Sequence, residues 1–309
     1  MPYDISHKLV IGIASSALFD LSESDAVFKT RGEQSYRAFQ REHEHETLPK
    51  GVAFPFIKRL LTLNEAFPEV EPIEVILFSR NDPDTGQRVF NTISDYHLNI
   101  TRGVFMGGKS PHIYLDAFDT ALFLSANNED VKQAIESGHA AGTVLQSTIP
   151  EDDESFELRV AFDFDGVIAD DSAEQIYQKD KNLDDFQRSE SAKALVPHHP
   201  GPLREFFIKL SLLQRLEHEK RIADPNYKQC IRTAIITARN APSNERVVTT
   251  LRSWDVMTDE TFFLGGIEKS RILDVFKPHI FFDDQLTHLE PSSGFIPSVH
   301  IPFGQINRT

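Results

Sequence analysis

The chain has 309 residues, of which 40% are hydrophobic, 26% are charged and 24 are Phe; this composition excludes a disordered chain and suits a globular protein with a Phe-rich core. The net charge of −15 argues against a surface for nucleic-acid backbones, and no apolar run approaches the ~18 residues that cross a membrane. Cys230 is the single cysteine, which excludes an intrachain disulfide and a multi-cysteine metal site. The first eight residues lack the basic-then-apolar order of a signal peptide, so a cytoplasmic protein is expected.

Read from the N-terminus, blocks of the first half recur in the second. Residues 51–60 resemble residues 201–210, and Arg80-Asn81 recurs as Arg239-Asn240. Arg88-Val89 recurs as Arg246-Val247, Gly107-Gly108 as Gly265-Gly266 (265 − 107 = 158), and residues 122–125 resemble residues 280–283. Five blocks in one order predict two halves of like fold and like strand order. Gly103 to Ser110 matches a phosphate-binding G-x-x-x-x-G-K-S pattern, yet its apolar middle, Val104 to Met106, reads as a strand. The acidic stretch 150–155 has no hydrophobic period and reads as a linker. The expected domains are therefore residues 1–150 and 155–309.

In the second half, short apolar runs at residues 158–162, 234–236, 261–264 and 279–282 alternate with helical patterns at 202–216 and 244–253. Such alternation predicts an α/β fold with a doubly wound parallel sheet covered on both faces. In that architecture the site lies beyond the carboxyl ends of the strands. Asp163-Phe164-Asp165-Gly166 ends the first run, Thr237 ends the second, Gly265-Gly266 leads to Lys269 after the third, and Asp283-Asp284 ends the fourth. Several carboxylates at one sheet edge repel each other unless a cation sits among them, and an all-oxygen donor set selects a hard ion such as Mg²⁺.

These four motifs, in this order, resemble the haloacid dehalogenase (HAD) superfamily. Residues 53–58, 251–254, 263–265 and 279–285, with 15–19 and 107–111 in the first half, are similar to segments of the cytosolic 5′-nucleotidase type I family. The resemblance covers most of the chain. It implies an Mg²⁺-dependent enzyme that hydrolyses nucleoside 5′-monophosphates, typically AMP, through an aspartyl-phosphate. It implies Asp163 as nucleophile, Asp165 as acid and base, Thr237 as holder of a phosphoryl oxygen and Lys269 as charge-neutralising group. The implied metal ligands are Asp163, Asp165 through its carbonyl, and Asp283; Asp284 is either a further ligand or a partner of Lys269. The resemblance further implies a small helical cap over the site, about residues 172–229, begun by Ser172 and Gln175 at capping-box spacing. Tyr177 and Phe186 are candidates to stack on a base or to pack the cap core. Ala238 and Arg239 are substrate-contact candidates; Arg239 is also suited to pairing with a carboxylate. No nucleic-acid or membrane partner is expected, and homo-oligomerisation is left open.

Three other groups read as bystanders. His43-Glu-His45-Glu46 lacks zinc-ligand spacing, His198-His199 before Pro200 reads as a polar turn, and Cys230 has no part in the implied chemistry. In the first half Ser15, Ala17, Ser79 and Ser125-Ala126 stand where Asp163, Asp165, Thr237 and Asp283-Asp284 stand in the second, while Lys109 lies near the Lys269 position. A HAD-like half without the carboxylates is a degenerate, non-catalytic one. The rival functions are a phosphatase for another small phosphomonoester and a nucleotide-binding regulator without turnover; mere binding needs no nucleophile and acid pair.

Overall fold

Strand runs such as Leu-Val-Ile-Gly-Ile-Ala (Leu9–Ala14) carry no polar alternation, and all six residues are buried, as expected for a strand covered on both faces. The computed structural model describes residues 3–147, 156–173 and 182–307; the linker 150–155 and Tyr177 lie outside them. The chain forms two compact units, Met1–Gln146 and Ser147–Thr309.

In the first unit β1 (Leu9–Ala14), β2 (Ile73–Ser79), β3 (Arg102–Phe105), β4 (Leu122–Ser125) and β5 (Ala141–Val144) lie in the order β3-β2-β1-β4-β5. Every one of these pairings is parallel, with Leu9 opposite Ile73 and Ile11 opposite Leu122. The helices are α1 (Ser15–Leu18), α2 (Ser22–Glu42), α3 (Phe54–Ala66), α4 (Gln87–Asp95) and α5 (Asn128–Glu136). Pro55 sits in the first turn of α3, where its missing N–H costs nothing, and Phe56, Ile57, Leu60 and Leu63 bury one face. Asn127 caps α5 by accepting from the N–H groups of Glu129 and Asp130.

In the second unit β6 (Leu158–Phe162), β7 (Ile231–Thr237), β8 (Glu260–Phe263), β9 (Ile280–Asp283) and β10 (Ser298–His300) lie in the order β10-β9-β6-β7-β8, again all parallel. Counted within each unit, both sheets run third, second, first, fourth, fifth. The backbone repeats as well. Left-handed residues recur at His97 and Asp255 (φ 54° and 53°), Gly107 and Gly265 (55° and 57°), Gly108 and Gly266 (91° and 93°), and Asp119 and Lys277 (48° each).

Among the described residues the α-helices of the second unit are α6 (Leu183–Ala192), α7 (Arg204–Ala223), α8 (Asn244–Ser253), α9 (Lys269–Phe276) and α10 (Leu286–Ser293). Helix α7 lies inside the stretch 172–229 expected to form a cap, yet it belongs to the sheet core. Its Phe206 and Phe207 rings pack 6.0 and 5.1 Å from Phe162, and Phe162 stacks on Phe282 at 5.2 Å. Each buried Phe contributes about 2–3 kcal/mol, so this cluster fixes the ends of β6 and β9. The buried Glu217 of α7 accepts from Tyr227 Oη (2.7 Å), the Cys230 N–H (2.6 Å) and the Ile231 N–H (2.9 Å), which anchors the start of β7. Burial pushes its carboxyl up. Strand order reverses between β6 and β9, so the crevice at their carboxyl ends is the topological switch point. Among the described residues no helix is long and apolar enough to cross a membrane.

Candidate active site

Asp163 is the first residue after β6 and is buried. Its Oδ1 accepts from the Phe164 N–H at 2.7 Å, and its Oδ2 lies 2.7 Å from Lys269 Nζ. The chain turns from β8 into α9 through the left-handed pair Gly265-Gly266, which delivers Lys269 as the first residue of the helix. The same ammonium donates to Asp283 Oδ2 at 2.7 Å. Asp283, the last residue of β9, is fully buried; its Oδ1 accepts from the Gln285 N–H at 2.9 Å and lies 3.3 Å from His288 Nδ1.

One buried ammonium between two buried carboxylates leaves one negative charge in excess. Burial, aided by Asp283 and Asp165, pushes the Asp163 carboxyl up to about 7 although Lys269 opposes it. At Asp283 burial acts in the same upward sense, but Lys269 and His288 outweigh it and hold the carboxyl down. Burial works against the charged Lys269 as well, and the two carboxylates outweigh it and raise the ammonium. The two carboxyls differ because His288 stands beside Asp283 and the Asp165 charge lies near Asp163.

The side-chain ligand atoms of Asp163, Asp283 and His288 lie within 4.8 Å of one another. The two carboxylate oxygens, with negative charge in excess, fit a hard divalent cation, whereas an imidazole nitrogen is a donor for softer ions, so His288 stands beside such a site as a neighbour of Asp283. Of the expected ligands, Asp163 and Asp283 converge on this point. Asp284 is buried, and its carboxylate lies against the turn at Gly166: a Cβ on Gly166 would stand 2.3 Å from Asp284 Oδ2. Gly166 is left-handed, φ 71°, so both the turn and the close approach require glycine. The Asp284 carbonyl is held by Asn307 Nδ2 at 3.0 Å and His300 Nε2 at 3.1 Å. The Asp165 side chain turns toward Arg239. His288 was not expected; its only sequence signal is a histidine in the helix that follows the acidic pair.

Thr237 ends β7 and is buried, with Oγ1 accepting from the Arg239 N–H at 3.3 Å. Ala238 is exposed at the same strand end. The Arg239 guanidinium is buried, and its Nε and Nη2 donate to the two Asp165 oxygens at 2.7 Å each. Its Nη1 donates to Glu190, and the rings of Phe164 and Phe186 lie 5.5 and 5.4 Å away. Of the roles open to Arg239, pairing with carboxylates is therefore the one realised. Burial disfavours its charge, and Asp165 and Glu190 more than restore it. Phe186 packs on this guanidinium.

Glu190, Arg246 and His198 were missed. Glu190 is held at 2.8 Å by Arg246 Nη1, and His198 Nε2 stands 3.3 Å from it. His198, expected in a polar turn, is buried with its ring against Phe164, centroids 5.4 Å apart.

The first unit repeats the hydrogen-bond frame without the charges. Ser79 Oγ accepts from the Asn81 N–H at 3.2 Å and Ser125 Oγ from the Asn127 N–H at 3.1 Å, as Thr237 and Asp283 do for the residues two positions on. Ser15 Oγ lies 3.3 Å from Ser79 Oγ where the second unit has Asp163, and Lys109 is exposed.

The 5′-nucleotidase family matches this chain over residues 1–308. The chain is 35% identical over 292 residues to cytosolic 5′-nucleotidase 1B of Homo sapiens, covering 92% of this chain and 47% of that protein. The chain thus spans about half the length of that relative. No solved structure matches it.

Proposed function

Because the chain belongs to the 5′-nucleotidase family, we propose that it hydrolyses nucleoside 5′-monophosphates, AMP foremost, to nucleoside and phosphate with Mg²⁺ in the cytosol. The observation that carries this reading is the buried Asp163 at the switch point, with the Lys269 ammonium 2.7 Å from both it and Asp283. An anionic phosphoryl group needs a nucleophile and compensating positive charge at one place, and phosphoryl transfer is mostly positioning and neutralisation.

In the first step the Asp163 carboxylate attacks phosphorus and the bond from phosphorus to O5′ breaks. Asp165, protonated on one oxygen while Arg239 keeps the other, gives its proton to O5′, and the nucleoside leaves. In the second step water attacks the phosphoryl group on Asp163, Asp165 takes the water proton, and the bond from phosphorus to the Asp163 oxygen breaks. Thr237 holds a phosphoryl oxygen, and Lys269 neutralises charge on the phosphoryl group and the nucleophile. Asp163, Asp283, Asp284 and the Asp165 carbonyl would hold Mg²⁺, with His288 beside them. When bound, the ion supplies charge neutralisation and favours the ionised form of Asp163. The second unit is read as the catalytic, HAD-like one and the first as its degenerate counterpart.

A phosphate-release panel over nucleoside monophosphates and sugar phosphates, with and without chelator, tests the reading. AMP turned over fastest and only with Mg²⁺ is the expected result. Preference for a sugar phosphate, or turnover undiminished by chelator, would contradict it.

A further inference from the structure

We propose that Glu190 is a positioning residue for the acid–base group: it fixes the Arg239 guanidinium, which in turn holds the Asp165 carboxylate, so helix α6 sets the geometry in which the leaving oxygen is protonated. This rests on the reading of Asp165 given above.

Arginine on a strand-end loop has a long, flexible stem, and a bidentate bond alone leaves the pair free to swing together. Here three further contacts remove that freedom. Glu190 takes Arg239 Nη1 while Nε and Nη2 remain on Asp165. The rings of Phe164 and Phe186 also approach the guanidinium, each within the ~6 Å at which an aromatic ring attracts a cation. Phe186 and Glu190 are four residues apart on α6, hence on one helix face. Between them Gln187 Nε2 donates to Asn240 Oδ1 at 3.2 Å, which grips the residue after Arg239. One helix of the insert therefore holds the whole 239–240 corner.

Glu190 is itself immobilised. Its side chain has 0% exposure, and Arg246, whose Nε donates to the Val196 carbonyl at 2.8 Å, holds its other oxygen. Its partners Arg239, Arg246 and His198 all lie outside the set Asp163, Lys269 and Asp283. Its action on the reaction thus runs through Arg239 to Asp165 and touches none of Asp163, Lys269 and Asp283; Thr237 meets Arg239 only through its backbone N–H. The first unit supplies the contrast: Ala17 replaces the acid there, and the matching Arg80 forks instead onto Asp130 of α5, at 2.7–3.0 Å.

The test uses the full chain with AMP and with p-nitrophenyl phosphate, whose leaving group needs no proton. Glu190→Gln is expected to lower kcat for AMP about 10- to 100-fold, part of the usual worth of a general acid. KM for AMP should stay near the wild-type value, and p-nitrophenyl phosphate should suffer far less. Phe186→Leu, which leaves the buried charges paired, should show the same selectivity to a smaller degree, and it carries the test if Glu190→Gln does not fold. Equal losses on both substrates, or no loss on either, would overturn the proposal. If wild type turns over neither substrate, the proposed function falls. The positioning claim is then decided by the crystal structure of Glu190→Gln: an Asp165 carboxylate still seated on Arg239 overturns it, and a displaced one supports it.

Discussion

Replacing Glu190 by Gln removes one negative charge from among two guanidinium groups and an imidazole, all buried. Burial pushes the Glu190 carboxyl up, but the neighbouring His198 and the charge and hydrogen bond of Arg239 hold it down, from the ordinary 4.5 to about 2. At about 1.4 kcal/mol for each pH unit, that depression is worth about 3 kcal/mol. This agrees with the ~3–5 kcal/mol typical of breaking a buried ion pair. The sign follows from the depressed value. The contribution is complete above pH 4.5, declines as the pH falls, and is gone near pH 2. Urea unfolding of the wild type and the variant at neutral pH should therefore differ by about 3 kcal/mol. By one unit below the ordinary value the gap should have shrunk by about 1 kcal/mol. A variant as stable as wild type at neutral pH, or a gap that stays constant into acid, would refute the reasoning.

Three further predictions concern the site itself. Asp165→Asn should impair AMP hydrolysis far more than that of p-nitrophenyl phosphate; equal losses in steady-state assays would remove Asp165 from the acid role. Gly166→Ala forces a Cβ to within 2.3 Å of Asp284 Oδ2 at φ 71°. It should cost about 1–3 kcal/mol in thermal unfolding and weaken the magnesium response, and an unchanged magnesium titration would mean that Asp284 has no part in holding the ion. Asp283→Ala should raise the magnesium concentration needed for half activity steeply, and an unchanged requirement would move the ligand role elsewhere.

The parts of the site that were legible in the sequence are those tied to strand ends. Asp163, Thr237, Lys269 and Asp283 each follow or end an apolar run, and a parallel sheet gathers such positions at one edge. Strand 158–162 and helix 244–253 were read with the bounds they have, because their patterns are periodic and cleanly flanked. The repeat was legible for a similar reason: a corner that needs a left-handed residue, as at Gly107 and Gly265, leaves a glycine in the text. The network around Glu190 was not legible. Charged residues within a helical pattern look like a solvated face, and only tertiary contact turns Glu190 inward against Arg239 and Arg246. Strand β10, three residues followed closely by Pro302, was too short to carry a periodic signal. The helical pattern at 202–216 reads as a helix covering the sheet, and α7 is one, with Phe206 and Phe207 buried against the strands; only the expected cap bounds of 172–229, set by the gap between the first and second motifs, reach too far over it.

The central claim is that Asp163 is the nucleophile of a phosphomonoester hydrolase, and phosphate release by Asp163→Asn with AMP and Mg²⁺ at saturation tests it most directly. The substitution keeps the size of the side chain and an oxygen to accept from the Phe164 N–H. Turnover should fall to background while the thermal unfolding transition remains cooperative. A folded variant that retains a substantial fraction of wild-type turnover would contradict the claim.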